Sequence, residues 1–266
     1  MVQHVRLRVR ILVKAFPQQS KKHEETVCCA GITEDGQQML RLFPIRFRRL
    51  PKEQQFDRFD LVEVLATKAG DPRPESYRVD EASIQLIEKA KTLSEEAKVR
   101  LWQPFIASSL KALHEENRQK NRSLGIVRPD SGSIKFFCKP AKDADTEDRD
   151  VADAVQQVQQ SSFLEDPLKP LEKPEYAFGY TFTSAGNPHK HIIHDWEVQA
   201  AYRHYKHRYG AQALERLKHE YAENIPARNL HFLMGTIAAH PRNFIIIGLL
   251  RSSLDPQELA RQGQLL

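Results

Sequence analysis

Hydrophobic and polar residues alternate along the beginning of the chain. The stretch HVRLRVRILVK, from His4 to Lys14, has an aliphatic residue at every second position. Successive side chains of a β-strand point to opposite faces, so the pattern predicts a strand with one aliphatic and one cationic face. The cations of the second face are Arg6, Arg8, Arg10 and Lys14.

Further extended segments follow in the first part of the chain. The run TVCCAGIT is typical of a short buried strand, and it ends at the turn EDGQ. The stretch QMLRLFPIRF resumes extended structure, with an edge or a bulge expected at Pro44 because proline cannot donate to a β-ladder. Another strand is predicted around Leu61–Thr67.

The hydrophobic period changes to that of a helix at about Asp80. Ile84 and Ile87 would then lie near one helical face, and Asp80 would cap the first turn. We therefore predict a helical insertion over residues 80–122, interrupted at Pro104. Extended structure is expected to return with LGIVRPDSGSIKFFCK, in which PDSG forms the turn.

Residues 141–170 are acidic, rich in glutamine and poor in aromatic residues. This composition predicts a linker or a mobile insertion, with a short helix possible at Asp150–Gln160. The β-pattern resumes in YAFGYTFTS, where aromatic residues alternate strictly. A helical hairpin is predicted over about 195–223, capped by Asp195 and divided at Gly210, and two closing strands follow it.

Charge is distributed unevenly around this acidic connector. Residues 1–130 hold 24 Lys and Arg against 18 Asp and Glu, and residues 176–266 hold 10 against 7, whereas residues 131–175 hold 6 against 10. No apolar run approaches the ~20 residues of a membrane-spanning helix, and the three cysteines show no CxxC pair. We therefore expect a cytoplasmic protein, without a membrane partner, whose two basic parts meet an anion.

Arginines are interleaved with Phe43 and Phe47 in and after the extended stretch that contains Pro44. Cations beside exposed rings suit single-stranded nucleic acid, RNA or DNA, because the cations meet phosphate and the rings stack on bases. A solvated outer face with both rings in the core is the competing interpretation, and both stay open here. The candidate binding residues are Arg6, Arg8, Arg10, Lys14, Arg41, Phe43, Arg46, Phe47, Arg48 and Arg49.

Catalytic motifs are lacking, which favours a non-catalytic protein without a cofactor. The sequence has no GxSxG, GxxxxGK[ST] or GxGxxG pattern. Histidines are concentrated near the C-terminal helices, and His191, His194 and Asp195 offer a second alternative, a metal-dependent hydrolase. Their spacing matches no metalloprotease pattern, and Asp195 is predicted to cap a helix. We therefore predict no metal site.

Four segments together resemble a known protein family. The chain from VCCAGITEDG to DLVEV, then DPRPESYRVD, HDWEVQAAY and HFLMGTIAAHPRNFIIIGLL, is similar to prokaryotic proteins described as containing a dual OB domain. The resemblance implies two small barrels of the oligonucleotide-binding kind, and it implies no catalytic residues. Some members look like parts of defence or mobile-element systems. The shared features are Arg41–Pro44, Arg73–Tyr77, Asp195–Glu197 and His240–Pro241.

These inferences combine into one expected architecture. We expect an α+β, β-rich chain with a first OB-like barrel in residues 1–140, an acidic linker at 141–170 and a second OB-like barrel in 171–266. The expected function is non-catalytic binding of single-stranded nucleic acid, inside or outside a larger complex. The main alternative is a protein–protein docking module within a larger assembly.

Overall fold

The computed structural model of the chain describes residues 4–15, 17–20, 24–141 and 173–263. The predicted helix at Asp150–Gln160, and nearly all of the predicted linker 141–170, lie outside these residues. The described part is a mixed α and β structure. Seven strands form its first sheet: β1 His4–Lys14, β2 Gln18–Ser20, β3 Glu24–Thr33, β4 Met39–Ile45, β5 Leu61–Lys68, β6 Ser76–Val79 and β7 Gln85–Glu88.

Five of these strands close into a barrel. The order of hydrogen-bonded neighbours is β1, β3, β4, β6, β5 and back to β1, and only the β4–β6 pair is parallel. The predicted alternation of β1 makes this closure possible, because its first half pairs with β5 and its second half with β3. Its aliphatic side chains, including Val9 and Ile11, fill the interior together with Leu42 and Val64.

The prediction of a helix that begins at Asp80 is wrong for the first part of the segment. Asp80 caps only a 3-10 turn, Glu81–Ser83, and β7 follows as a strand paired with β5. The residues from Gln85 to Glu88 alternate between exposed and half-buried, so their period is two rather than 3.6. Helices do begin later in the predicted insertion: α1 Glu95–Trp102 and α2 Leu110–Lys120.

The second half of the chain contributes two further sheets. A three-stranded sheet has the order β10, β11, β12, and a four-stranded sheet has the order β14, β13, β9, β8. A parallel bridge between Ile193 and Ile246 connects the two sheets where β12 ends beside β14. The strands are β8 Ile106–Ala107, β9 Leu124–Val127, β10 Lys135–Pro140, β11 Tyr176–Ser184, β12 Asn187–Ile192, β13 His231–Thr236 and β14 Phe244–Leu250.

The predicted helical hairpin is present between β12 and β13. Helix α3, Trp196–Tyr209, begins with the Asp195 side chain accepting a hydrogen bond from the Glu197 N–H, and it ends at Gly210 with a positive φ of 54°. Helix α4, Ala213–His219, continues into a π-helical turn at Glu220–Asn224. The last helix is α5, Pro256–Gly263.

A shared hydrophobic core joins the first barrel to the second half. Outward side chains of the barrel, among them Leu12 and Ile32, pack with Leu124, Leu233 and Ile247 of the four-stranded sheet. Trp102 of α1 is 1% exposed within the same core. This part of the barrel surface is therefore covered, and the two halves are in direct contact.

None of the helices in the described part of the chain combines the length and apolar character needed to cross a lipid bilayer. The three cysteines, Cys28, Cys29 and Cys138, are free thiols. Burial raises the pKa of the Cys29 thiol, so this residue is an inert part of the core.

Candidate nucleic-acid interface

The first two arginines of β1 are exposed but engaged by carboxylates. Arg6 and Arg8 both donate to Glu63, which lies on the neighbouring strand β5, and Arg8 Nε is 3.0 Å from Glu63 Oε2. Arg8 also pairs with Glu34. Hydrogen bonds from Arg6 and Arg8 hold the pKa of Glu63 below its usual range. The cationic face of this strand is thus largely neutralised by its own barrel.

The other two cations of β1 are withdrawn from the surface. Arg10 is buried, and its guanidinium lies 2.6 Å from Glu88 Oε2 and 3.2 Å from the Phe59 carbonyl oxygen. The Lys14 ammonium donates to the Phe56 carbonyl at 2.8 Å and sits 4.2 Å from the centre of the Phe47 ring. Both cations stabilise the junction of β1 with the segments that follow β4 and β5.

Arg41 lies at the junction between the two halves of the molecule. It is 6% exposed, and its guanidinium donates to the carbonyl and hydroxyl oxygens of Ser123 at 3.2 and 3.3 Å. The carboxylate of Glu75 accepts hydrogen bonds from the N–H and hydroxyl of the same serine. Arg73 extends this network to the Thr236 carbonyl on β13. The motif residues Arg41, Arg73 and Glu75 therefore tie the first barrel to the second half.

The remaining arginines of the predicted cluster follow β4 in a 3-10 turn, Phe47–Arg49. Arg46 pairs with Glu81 and Arg48 with Glu25, each at 2.8 Å, while Arg49 is half-buried. Phe47 is buried, in edge contact with the rings of Phe56 and Trp196. This ring is a core residue, as the competing interpretation of the sequence expected.

Phe43 is the predicted aromatic residue that does reach the surface. Its side chain is 42% exposed on the outer side of β4. The preceding cations of β1 are separated from β4 by β3 on one side and by β5 and β6 on the other. The structure therefore does not gather the ten predicted residues into one exposed cationic surface.

A different surface has the required combination of ring and cations. On the three-stranded sheet, Phe137 of β10 lies opposite Gly179, and Lys135 and Lys139 flank it on the same face. The Phe137 ring occupies the space above Gly179, since a β-carbon there would lie 2.3 Å from Phe137 Cζ. Lys190 of β12 approaches from the other side, with its ammonium 5.0 Å from the ring centre.

We call this surface the β10–β12 face, defined by Lys135, Phe137, Lys139, Thr181 and Lys190. Lys135 and Lys190 are exposed, and neither forms an ion pair with any residue that the structure describes. The opposite side of the same sheet is the core of the second half, where Phe136, Phe178 and Tyr180 pack together. A half-buried ring between lysines can stack on a base while the lysines meet its phosphates.

The sequence contains a signal for this face. KFFCK places lysines two residues before and two residues after Phe137, which is the same combination of cations and ring as in residues 41–49. The pairing with β11 determines which of the adjacent residues Phe136 and Phe137 faces outward. Phe136 lies opposite Tyr180 on the core side, whereas Phe137 lies opposite Gly179, which leaves space for its ring.

The histidine-rich segment has a structural role in the described part of the chain. His189 and His191 stand on the core side of β12, with ring centres 5.4 and 5.9 Å from that of Phe182. Burial lowers the pKa of His191 to about 4. Burial and the neighbouring Glu197 raise the pKa of Asp195 to about 7. No group of three or more His, Cys, Asp or Glu side chains among the described residues is arranged to hold a metal ion.

A buried guanidinium accompanies Asp195 at a second contact between the halves. Arg58, from the segment before β5, lies 2.7 Å from Glu197 Oε2 and 2.7 Å from the Leu249 carbonyl oxygen. The motif Asp195–Glu197 thus begins α3 and receives an arginine from the first barrel. It shares this joining role with Arg41 and Arg73.

Family comparisons divide the chain at the start of β8, the first strand of the four-stranded sheet. Residues 5–104 match a domain of unknown function, DUF8758, and residues 106–264 match a second one, DUF8757. The second match covers more than half of the chain, so the protein belongs to the DUF8757 family. Two consecutive domains fit a two-domain architecture. No curated protein matches the chain.

One solved structure that matches the chain is described as "Molecular basis for abrogation of activation of pro-inflammatory cytokines". It is 8% identical, the alignment covers 74% of this chain and 80% of that one, and the TM-score is 0.32. This similarity is too low to carry an argument about function.

Proposed function

We propose that this protein is a non-catalytic, single-stranded nucleic-acid-binding protein built from two OB-like barrels. The strand order of the first barrel supports the fold. Counted along the barrel, β1, β3, β4, β5 and β6 are strands 1 to 5, and their order is 1-2-3-5-4 with strands 3 and 5 parallel. This is the connectivity of the five-stranded OB barrel.

The second half supports the same connectivity with an interrupted first strand. If β9 and β10 are two parts of strand 1, then β11, β12, β13 and β14 are strands 2 to 5. The pairs β10–β11, β11–β12, β14–β13 and β13–β9 follow the OB order, and the Ile193–Ile246 bridge supplies the parallel contact of strands 3 and 5. Helix α3 lies between strands 3 and 4. On this assignment the second unit begins near residue 105.

One observation carries the function: the β10–β12 face exposes a ring between lysines on the first three strands of the second barrel. An OB barrel uses strands 2 and 3 and the adjoining loops as its ligand groove. In the first barrel the corresponding strands β3 and β4 are partly covered by the second half. In the second barrel the exposed Lys135 and Lys190 lie on this groove side.

The chemistry of the β10–β12 face favours single-stranded over double-stranded nucleic acid. Bases in a duplex are stacked on each other, whereas the bases of a single strand can stack on a protein ring, which contributes about 1–3 kcal/mol per base. The two exposed lysines beside the ring, Lys135 and Lys190, match the phosphates on both sides of a stacked nucleotide. The free thiols fit a reducing compartment, and we place the protein in the cytosol as part of the proposal.

The test is binding of a fluorescent single-stranded oligonucleotide in rising salt. Each neutralised phosphate contributes about −0.7 to the slope of log affinity against log salt. We expect the double variant Lys135→Gln/Lys190→Gln to bind more weakly and with a slope shallower by about 1.4. The matched control, Lys91→Gln/Lys120→Gln, removes the same charge from exposed positions outside the face. Weak wild-type binding with a flat salt response would overturn the proposal.

A protein-docking module within a larger assembly is the second candidate. The pairing of Arg6, Arg8, Arg46 and Arg48 with carboxylates favours it, because these cations are already satisfied by their own barrel. Purification of the protein from its own cells tests this candidate. A stoichiometric protein partner, with no nucleic acid in the absorbance spectrum, would support docking over strand binding.

A further inference from the structure

One large hydrophobic side chain of the first barrel is exposed without any role in the core. Phe43 is 42% exposed on β4, while its neighbour Leu42 is buried in the barrel interior. The other large hydrophobic side chain exposed to a similar degree, among the described residues, is Ile87 on β7. Each is an isolated side chain and not part of an extended apolar patch.

An arginine stands directly beside this ring. Phe43 and Arg78 are register partners in the parallel β4–β6 pair, so their side chains leave the barrel on the same face. Arg78 is exposed, and its guanidinium forms no hydrogen bond or ion pair with any residue that the structure describes. In this it differs from Arg6 and Arg8, whose guanidinium groups are held by Glu63.

The next position on this outer face is small and polar. Arg78 lies opposite Thr67 of β5, so the row across the three strands reads Phe43, Arg78, Thr67. No carboxylate occurs in this row. A ring, an uncommitted guanidinium and a hydroxyl therefore stand side by side on a rigid closed barrel.

We propose that Phe43 and Arg78 form a second single-strand contact, in which a base stacks on Phe43 and Arg78 binds the adjacent phosphate. The inference rests on the proposed function and adds the first barrel to it. The size of the site favours a nucleotide over a protein partner. One ring with one cation matches one base with one phosphate, whereas protein interfaces centre on larger apolar clusters.

Two binding surfaces on one chain predict a dependence on strand length. Because one OB barrel occupies about 4–16 nucleotides, an oligothymidine of about 30 nucleotides is long enough to engage both barrels. We expect Phe43→Ala to weaken its binding about tenfold, which is the loss of one stacked base. Arg78→Gln is expected to reduce the salt slope by about 0.7, which is the loss of one phosphate contact.

Matched controls separate this inference from the proposed function. Ile87→Ala removes a comparably exposed hydrophobic side chain, and Arg118→Gln removes an exposed arginine of α2, so neither should change affinity. If Phe43→Ala and Arg78→Gln bind like wild type while Phe137→Ala binds weakly, the second contact is overturned and the proposed function stands. If wild-type protein binds no oligonucleotide, both are overturned.

Discussion

The buried network around Arg41 makes a prediction that separates a joining role from a ligand-binding role. In Arg41→Gln the side chain is too short to reach Ser123, which lies across the contact between the barrel and the second half. The carbonyl and hydroxyl oxygens of Ser123 then lose a charged donor, and the Glu75 carboxylate that binds the same serine loses a nearby cation. We expect the folded protein to be destabilised.

The size of the effect follows from the two lost hydrogen bonds. A hydrogen bond to a charged group contributes about 1.5–3 kcal/mol, and the two distances of 3.2 and 3.3 Å place both bonds at the weak end. The expected loss is therefore about 3 kcal/mol. At about 2–4 °C per kcal/mol for a chain of this size, the unfolding midpoint should fall by about 6–12 °C.

Tryptophan fluorescence is the natural assay, because both tryptophans of the sequence report on this contact. Trp102 lies in the core that the two halves share, and Trp196 packs against Phe47 of the first barrel. The control variant Arg118→Gln breaks only an exposed pair with Glu115 and should unfold like wild type. An Arg41→Gln midpoint within 1 °C of the wild-type value would refute the joining role of this arginine.

Two further predictions concern the second half. Gly179→Val places a side chain where the Phe137 ring lies, so it should cost about 1–3 kcal/mol of unfolding free energy, whereas Gly70→Ala, with open space around it, should be near neutral in thermal unfolding. Burial lowers the pKa of His231 from its ordinary 6.5 to about 4. Between these two pH values the unfolded chain therefore binds a proton at this residue and the folded protein does not. The neutral His231 side chain therefore makes its full contribution to the free energy of unfolding above pH 6.5, and this free energy falls by about 3 kcal/mol as the pH is lowered towards 4. His191 contributes a similar loss in both proteins, so urea unfolding at both pH values should show a loss about 3 kcal/mol larger in wild type than in His231→Gln. Equal losses in the two proteins would contradict the prediction.

The period of the hydrophobic pattern predicts much of the first barrel. The segment His4–Lys14, with its aliphatic residue at every second position, forms a strand, and TVCCAGIT and Leu61–Thr67 lie in strands as well. The segment after Asp80 misled the prediction because Ile84 and Ile87 also fit a helical face. Pairing with β5, which local periodicity does not contain, makes residues 85–88 a strand.

The state of the arginines could not be predicted, because their partners are distant in sequence. Glu63 follows Arg6 by 57 positions, and Ser123 follows Arg41 by 82. The alternation showed which side chains share a face of β1, but not that the neighbouring strand presents a carboxylate there. The β10–β12 face depends in the same way on β11, which places a glycine opposite Phe137.

The most direct test of the account is a photocrosslink between a single strand and Phe137. Oligonucleotides carrying 5-iodouridine couple to a stacked aromatic side chain on irradiation, and mass spectrometry of the digested protein locates the adduct. We predict an adduct on Phe137 that is lost in Phe137→Leu. Efficient crosslinking at other residues, with Phe137 unmodified, would contradict the claim that the β10–β12 face binds the strand.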